Sequence, residues 1–182
     1  MKFLSLTKAL LDTKADATRK RLPREKMQSY CNQLAEKVRA VYSPDLIVAI
    51  AAGGTVPGEL ISRNLGIPIA HITIRRNIQI HRMYHKDPWL QRSLWSLYHH
   101  YLFQTTKPEV FTEITADLSG KRILLVDDTI HTGATLDVAK AYFNKKAVLD
   151  IQIATLAYVS DKVPDFSVLP KGNYCFPWSK DY

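Results

Sequence analysis

In the stretch ILLVDDTIHTGAT, residues 123–135, apolar residues run straight into two adjacent carboxylates, Asp127 and Asp128, and then into hydroxyls and a glycine. Buried carboxylates must be paired, coordinated or neutralised, so an acidic pair at the mouth of an apolar segment needs a cationic or hydroxylated partner. The pattern predicts that the chain leaves a strand at Asp127, turns through Thr129 to Thr132 and enters a helix near Gly133. Successive backbone N–H groups and a helix N-terminus then aim at one spot, an anion cradle to which Thr132 and Thr135 add hydroxyl donors. One loop thus joins a phosphate site to two carboxylates suited to a sugar's adjacent hydroxyls, or to a magnesium ion bound with them. A phosphorylated ribose is the simplest ligand that meets both demands.

The elements that must position this loop alternate. Met27, Tyr30, Leu34, Val38 and Val41 have helical spacing between Arg24 and Tyr42, and the helix is closed by Ser43-Pro44. DLIVAI is a continuous apolar run of the kind buried on both faces of a parallel sheet. AAGGTVPGELISRNLGIPI goes from strand to glycine loop to helix, with Pro57 in the first turn and Gly66 as C-cap. IPIAHITI, KRILLV and VLDIQIATLAYV read as further strands, and TGATLDVAKAYFNKK as a helix. Strand and helix in this order imply an α/β fold, a mainly parallel sheet flanked by helices, whose ligands sit beyond the carboxyl ends of the strands. Both glycine-containing loops and the acidic pair fall at such ends.

Within this pattern lies an insert. DPWLQRSLWSLYHHYLF offers Asp87 as N-cap and Pro88 at the first helical position, with Leu90, Leu94, Leu97, Tyr98, Tyr101 and Leu102 as an apolar stripe. Such a helix is a lid, a subunit contact or simple packing onto the core. His81 and His85 lie four apart but lack a third ligand, so they make a poor metal site.

At 182 residues the chain can bury one core, and its 46% hydrophobic content is that of a folded protein. Lysine and arginine exceed the acids by 25 to 17, a net charge of +8 that favours anionic ligands of either kind, metabolite or nucleic acid. The basic segment TKADATRKRLPREK, after a short amphipathic stretch over residues 1–12, reads as an arm packing on the body rather than a nucleic-acid contact. Cys31 and Cys175 are too few for a disulfide framework and read as two ordinary half-buried thiols in a reducing compartment. With no membrane-length apolar run and no signal-like start, the expected location is the cytoplasm.

ILLVDDTIHTGAT resembles the phosphoribosyl diphosphate signature of the type I phosphoribosyltransferases. LIVAIAAGGTVPGELISRNLGIPI resembles that family's strand, diphosphate loop and helix; TIRRNIQIHR sits where its third strand leads into a catalytic loop; VPDF and YCFPW resemble the C-terminal hood of its purine-using members, the hypoxanthine and xanthine-guanine enzymes. The chain then divides into an N-terminal basic arm over residues 1–24 and one domain over residues 25–182, with the inserted helix at about 87–103 and, as the resemblance implies, a small hood at about 160–182. The resemblance implies transfer of a 5-phosphoribosyl group from phosphoribosyl diphosphate to a purine-like base, with Mg2+ required and a homodimer as the common assembly; neither membrane nor nucleic acid is an expected partner. Carried over by position, Asp127 and Asp128 hold the ribose hydroxyls and, directly or through ligand or water, the magnesium. Thr129, Ile130, His131, Thr132, Gly133, Ala134 and Thr135 wrap the 5-phosphate. Ala52, Gly53 and Gly54 face the diphosphate, in a loop that often has a non-proline cis peptide, and Trp178 stacks on the base.

The departures carry information too. His131 stands where purine-using relatives place an aspartate, so it either serves as the base or signals another acceptor. Ala52 stands where many relatives carry Arg or Lys, a charge that Arg75, Arg76, Arg82 or Lys86 can supply. Tyr158, Val159 and Ser160 occupy the region of the relatives' purine-reading lysine, and only Lys162 lies nearby. These departures keep a second reading open, a non-catalytic sensor of phosphoribosyl diphosphate or nucleotide on the same fold. A phosphotransfer receiver is disfavoured, because there the acid pair follows the first strand.

Overall fold

The computed structural model of the chain describes residues 19–77 and 105–179. The amphipathic stretch at 1–12, the insert helix at 87–103 and His81, Arg82, His85 and Lys86 lie outside the described residues.

The long apolar runs form a central sheet. In chain order the strands are β1 (Lys20–Arg21), β2 (Leu46–Ala51), β3 (Ile69–Arg76), β4 (Pro108–Thr112), β5 (Arg122–Ile130), β6 (Asp150–Tyr158), β7 (Phe166–Ser167) and β8 (Tyr174–Cys175); the helices are α1 (Met27–Val41), α2 (Thr55–Leu65) and α3 (Ala134–Asn144). Among the described residues six strands make the main sheet, in the order β4-β3-β2-β5-β6-β7, all neighbours parallel except the antiparallel pair β3 and β4. The alternation of β5 divides the core: Leu124 and Val126 face a cluster with Leu34 and Val38 of α1 and Ile61 of α2, whereas Ile123 and Leu125 face Leu136, Ala139 and Phe143 of α3. Helices thus cover both faces, which is why β2 and β5 read as unbroken apolar runs.

Local chemistry sets the helix ends. Gly66 adopts φ +71° at the C-terminus of α2, and Ser62 carbonyl accepts both the Gly66 and Ile67 N–H groups at 2.9 and 3.2 Å. That left-handed cap is the one expected of a glycine after the last helical residue. Where α2 crosses β2, a methyl group at Gly58 would lie 2.7 Å from Ala49 Cβ, so only glycine allows this approach.

Three features differ from the sequence expectation. First, β5 does not end at Asp127: it continues to Ile130, because β6 runs alongside and pairs Asp127 with Thr155, Thr129 with Ala157 and Ile130 with Tyr158. Second, residues 20–22 belong to the body rather than to an arm that ends at residue 24. Lys20 and Arg21 pair in parallel with Tyr174 and Cys175 in a separate two-stranded sheet, and Leu22 is buried in the core. Third, Cys31 and Cys175 are fully rather than half buried. No helix among the described residues is long and apolar enough to cross a membrane.

Candidate functional site

After β2 the chain crosses through α2 to β3 on one side, and after β5 it crosses through α3 to β6 on the other. The carboxyl ends of β2 and β5 therefore flank the point where the winding reverses, the place where open α/β sheets leave a crevice for ligand. Both sequence-predicted loops open there. Ala52 and Gly53 follow β2, Gly54 is buried at the start of α2, and the Ala51–Ala52 peptide is cis, as the resemblance led one to expect. A methyl group at Gly53 would lie 2.6 Å from Asp128 Oδ1, so the diphosphate-type loop and the acid pair are in direct contact.

The acid pair is coupled within itself and to the hood. Asp128 backbone N–H donates to Asp127 Oδ1 at 2.9 Å, and Trp178 Nε1–H donates to Asp128 Oδ2 at 2.9 Å. Burial, with the neighbouring Asp128 charge second, holds the Asp127 pKa well above the ordinary carboxylate value. Burial also raises that of Asp128, against the Trp178 indole, the Thr129 backbone N–H and the nearby His131, all of which lower it. As residues, Asp127 and Asp128 are half-buried rather than sealed in the core. Thr155 Oγ1, on the register partner of Asp127, is fully buried and has no hydrogen-bond partner among the described residues.

The turn after β5 leads directly into the N-terminus of α3. His131 and Thr132 are exposed, Thr132 Oγ1 accepts the Ala134 N–H at 3.3 Å, and Gly133 takes φ +77° as N-cap of α3. The first N–H groups of a helix have no carbonyl one turn before them and so can face a ligand. Thr135 is half-buried one step into α3.

Two other predicted residues, Arg75 and Arg76, make their contacts elsewhere. The Arg75 guanidinium lies over the Phe111 ring at 3.9 Å, and Arg76 Nε donates to Thr106 carbonyl at 2.9 Å, so both contacts run toward β4 and the segment before it. Trp178 stacks on Phe176 at 5.2 Å and 13°, with its edge on Asp128. Sequence reasoning did not reach Asp137, whose carboxylate is 2.5 Å from Lys162 Nζ, and it missed the Trp178–Asp128 hydrogen bond, which spans 50 residues and leaves no local signal.

Residues 22–167 match the family model of the phosphoribosyl transferase domain. The chain belongs to that family. Among solved structures it is similar to a purine phosphoribosyltransferase from Pyrococcus horikoshii Ot3, with TM-score 0.69 and 30% identity over 89% of this chain and 94% of the other. The xanthine-guanine-hypoxanthine phosphoribosyltransferase of Helicobacter pylori shares the fold at TM-score 0.60 and 17% identity, covering 90% of this chain and 95% of that one. A xanthine-guanine phosphoribosyltransferase of Vibrio atlanticus (strain LGP32) is 46% identical over 43 residues, a stretch that is 24% of this chain and 28% of that protein's length. The phosphoribosyl transferase domain thus covers most of the described core, from Leu22 to β7.

Proposed function

We propose that this phosphoribosyl transferase domain moves the 5-phosphoribosyl group of phosphoribosyl diphosphate to a ring nitrogen of a purine-like base, releasing diphosphate. The observation that carries the proposal is the contact between Gly53 and the Asp127-Asp128 pair at the winding reversal, with the α3 cradle beside it. The Pyrococcus relative, a purine enzyme by name at 30% identity, supports the purine-like acceptor.

In this reading the bond from ribose C1 to the diphosphate oxygen breaks as the bond from base nitrogen to C1 forms, through an oxocarbenium-like state. The chain's task is electrostatic. Asp127 and Asp128 hold the ribose hydroxyls and face the developing positive charge, Thr129 to Thr135 hold the 5-phosphate, and backbone groups of Ala52 to Gly54 receive the diphosphate. His131, exposed beside the pair, takes the proton of the attacking nitrogen. The Trp178 indole, held beside Asp128, offers the base a stacking surface.

The donor set also suits the magnesium that the family reading implies. Two carboxylates of raised pKa and the unpartnered Thr155 hydroxyl are what a nearby cation would relieve. No group of three or more His, Cys, Asp or Glu among the described residues forms a protein-only cage, so an ion held by Asp127 and Asp128 would share its shell with ligand oxygens. It would neutralise the diphosphate charge.

The test is diphosphate release from phosphoribosyl diphosphate and magnesium with hypoxanthine, guanine, xanthine, adenine, uracil or orotate. Release is expected with one or more purines and not with uracil or orotate. Tight phosphoribosyl diphosphate binding with no release in any of the six favours the sensor reading, for which Ala52 and His131 are the supporting departures.

A further inference from the structure

The turn from Thr129 to Thr135 contains neither lysine nor arginine, so its own side chains bring no fixed cation to the anion it encloses. One arrives from the hood. Val159 N–H donates to Ile130 carbonyl at 2.8 Å, tying the end of β5 to the segment after β6. The Lys162 N–H then donates to Ser160 Oγ at 3.2 Å, and Lys171 Nζ lies 2.6 Å from Asp161 Oδ1, which holds the turn from both sides. From there the Lys162 side chain lies across Gly133: a methyl group at Gly133 would collide with Lys162 Cδ and lie 3.2 Å from Nζ. Its Nζ ends 2.5 Å from Asp137 Oδ2, in the first turn of α3.

That pair is well placed to change partner. Both side chains are about half exposed, and exposed ion pairs contribute little. A phosphate dianion in the cradle offers the ammonium more charge and more acceptor oxygens than a single carboxylate. Asp137, unpaired, would repel the same phosphate from about one helical turn away, so Lys162 both attracts the anion and masks the charge opposed to it.

We infer that Lys162 is a binding residue for the phosphate monoester of the sugar substrate, held ready on Asp137 and transferred to that phosphate when ligand enters. The inference rests on the phosphoribosyl reading above. It makes the hood, rather than the cradle, the source of the cation at this subsite.

The experiment is titration of the full chain with ribose 5-phosphate and, separately, with phosphoribosyl diphosphate and magnesium. Lys162→Ala is expected to weaken ribose 5-phosphate by about tenfold, as loss of one charge-assisted hydrogen bond does, and Lys162→Arg to recover most of that loss. Asp137→Asn is expected to tighten it several-fold. A merely structural ion pair predicts the same sign for both partners, so weakening by Asp137→Asn overturns the inference, as does binding by Lys162→Ala within twofold of wild type. Wild-type chain that binds neither ligand overturns the functional reading, and this inference with it.

Discussion

At Asp127 and Asp128, binding and stability pull in opposite directions. Burial holds both folded-state pKa values above those of an unfolded carboxylate, and the Asp128 charge adds to the rise at Asp127. The pair therefore costs nothing below about pH 4, where both states are protonated, and opposes folding increasingly as pH rises through the folded values. Asp127→Asn keeps the oxygen that accepts the Asp128 N–H and removes the charge. We expect its melting temperature at pH 7–8 to exceed wild type by about 2–4 °C for each kcal/mol relieved, the gain vanishing near pH 4, while phosphoribosyl transfer drops on the order of a hundredfold or more. Calorimetry at the two pH values and the diphosphate assay check both halves. Trp178→Phe probes the other carboxylate. It preserves a ring to stack on Phe176 but removes the N–H that lowers the Asp128 pKa. The expected result is a kcat/KM lower on the order of tenfold, with the acid limb of its pH profile moved to higher pH, since Asp128 then ionises less readily. An unmoved acid limb removes the indole from any part in tuning Asp128.

Among the elements, α2 shows how narrow the tolerance is at the crevice. It is held against β2 by the absence of a side chain at Gly58, and its first residues continue from the loop touching Asp128. Alanine in place of a helix-interior glycine gains about 1 kcal/mol of propensity. Here the new methyl would meet Ala49 Cβ at 2.7 Å, a position fixed by the sheet, and overpacking of this kind costs about 1–3 kcal/mol. Urea unfolding of Gly58→Ala is thus expected to show a net loss of up to about 2 kcal/mol, with diphosphate release reduced as the loop is lifted; a net gain in stability shows that the helix can yield. Elements with a strong local signal were legible in the sequence for physical reasons: α1 from its helical stripe, α2 from Pro57 and Gly66, and β2 and β5 from apolar runs required by two covered faces. β4 was not, because an antiparallel edge strand reading PEVFT buries little beyond Pro108 and presents no run. The extension of β5 through the acid pair was hidden as well. Carboxylates read locally as the end of a strand, and only pairing with Thr155 and Ala157 overrides that.

For the molecule as a whole, the site joins parts that the chain keeps far apart. The motif residues could be picked out by type and spacing, yet their assembly depends on the order β4-β3-β2-β5-β6-β7, which sets β2 beside β5 although Ile47 and its register partner Leu124 lie 77 positions apart, and no local pattern encodes that order. The hood is likewise a long-range construction: Lys20 and Arg21 pair with Tyr174 and Cys175 in a sheet of only two residues per strand, next to Trp178. Sheets this small have little stability of their own, so the hood is expected to open before the main core does. The two thiols report these events separately. Cys31 is buried in α1 against the core, where burial pushes its thiol up to about 12, leaving roughly one in ten thousand as thiolate at pH 8. Cys175 is equally hidden but sits in β8. With an aromatic disulfide reagent at pH 8, and modified peptides identified by mass, Cys175 is expected to react at a rate set by hood opening and Cys31 only with global unfolding, so that low urea accelerates Cys31 far more than Cys175. Phosphoribosyl diphosphate with magnesium should slow Cys175 by favouring the closed hood over the site. Equal rates and equal urea dependence for the two thiols mean that hood and core unfold as one unit, and that substrate must enter with the indole still on Asp128.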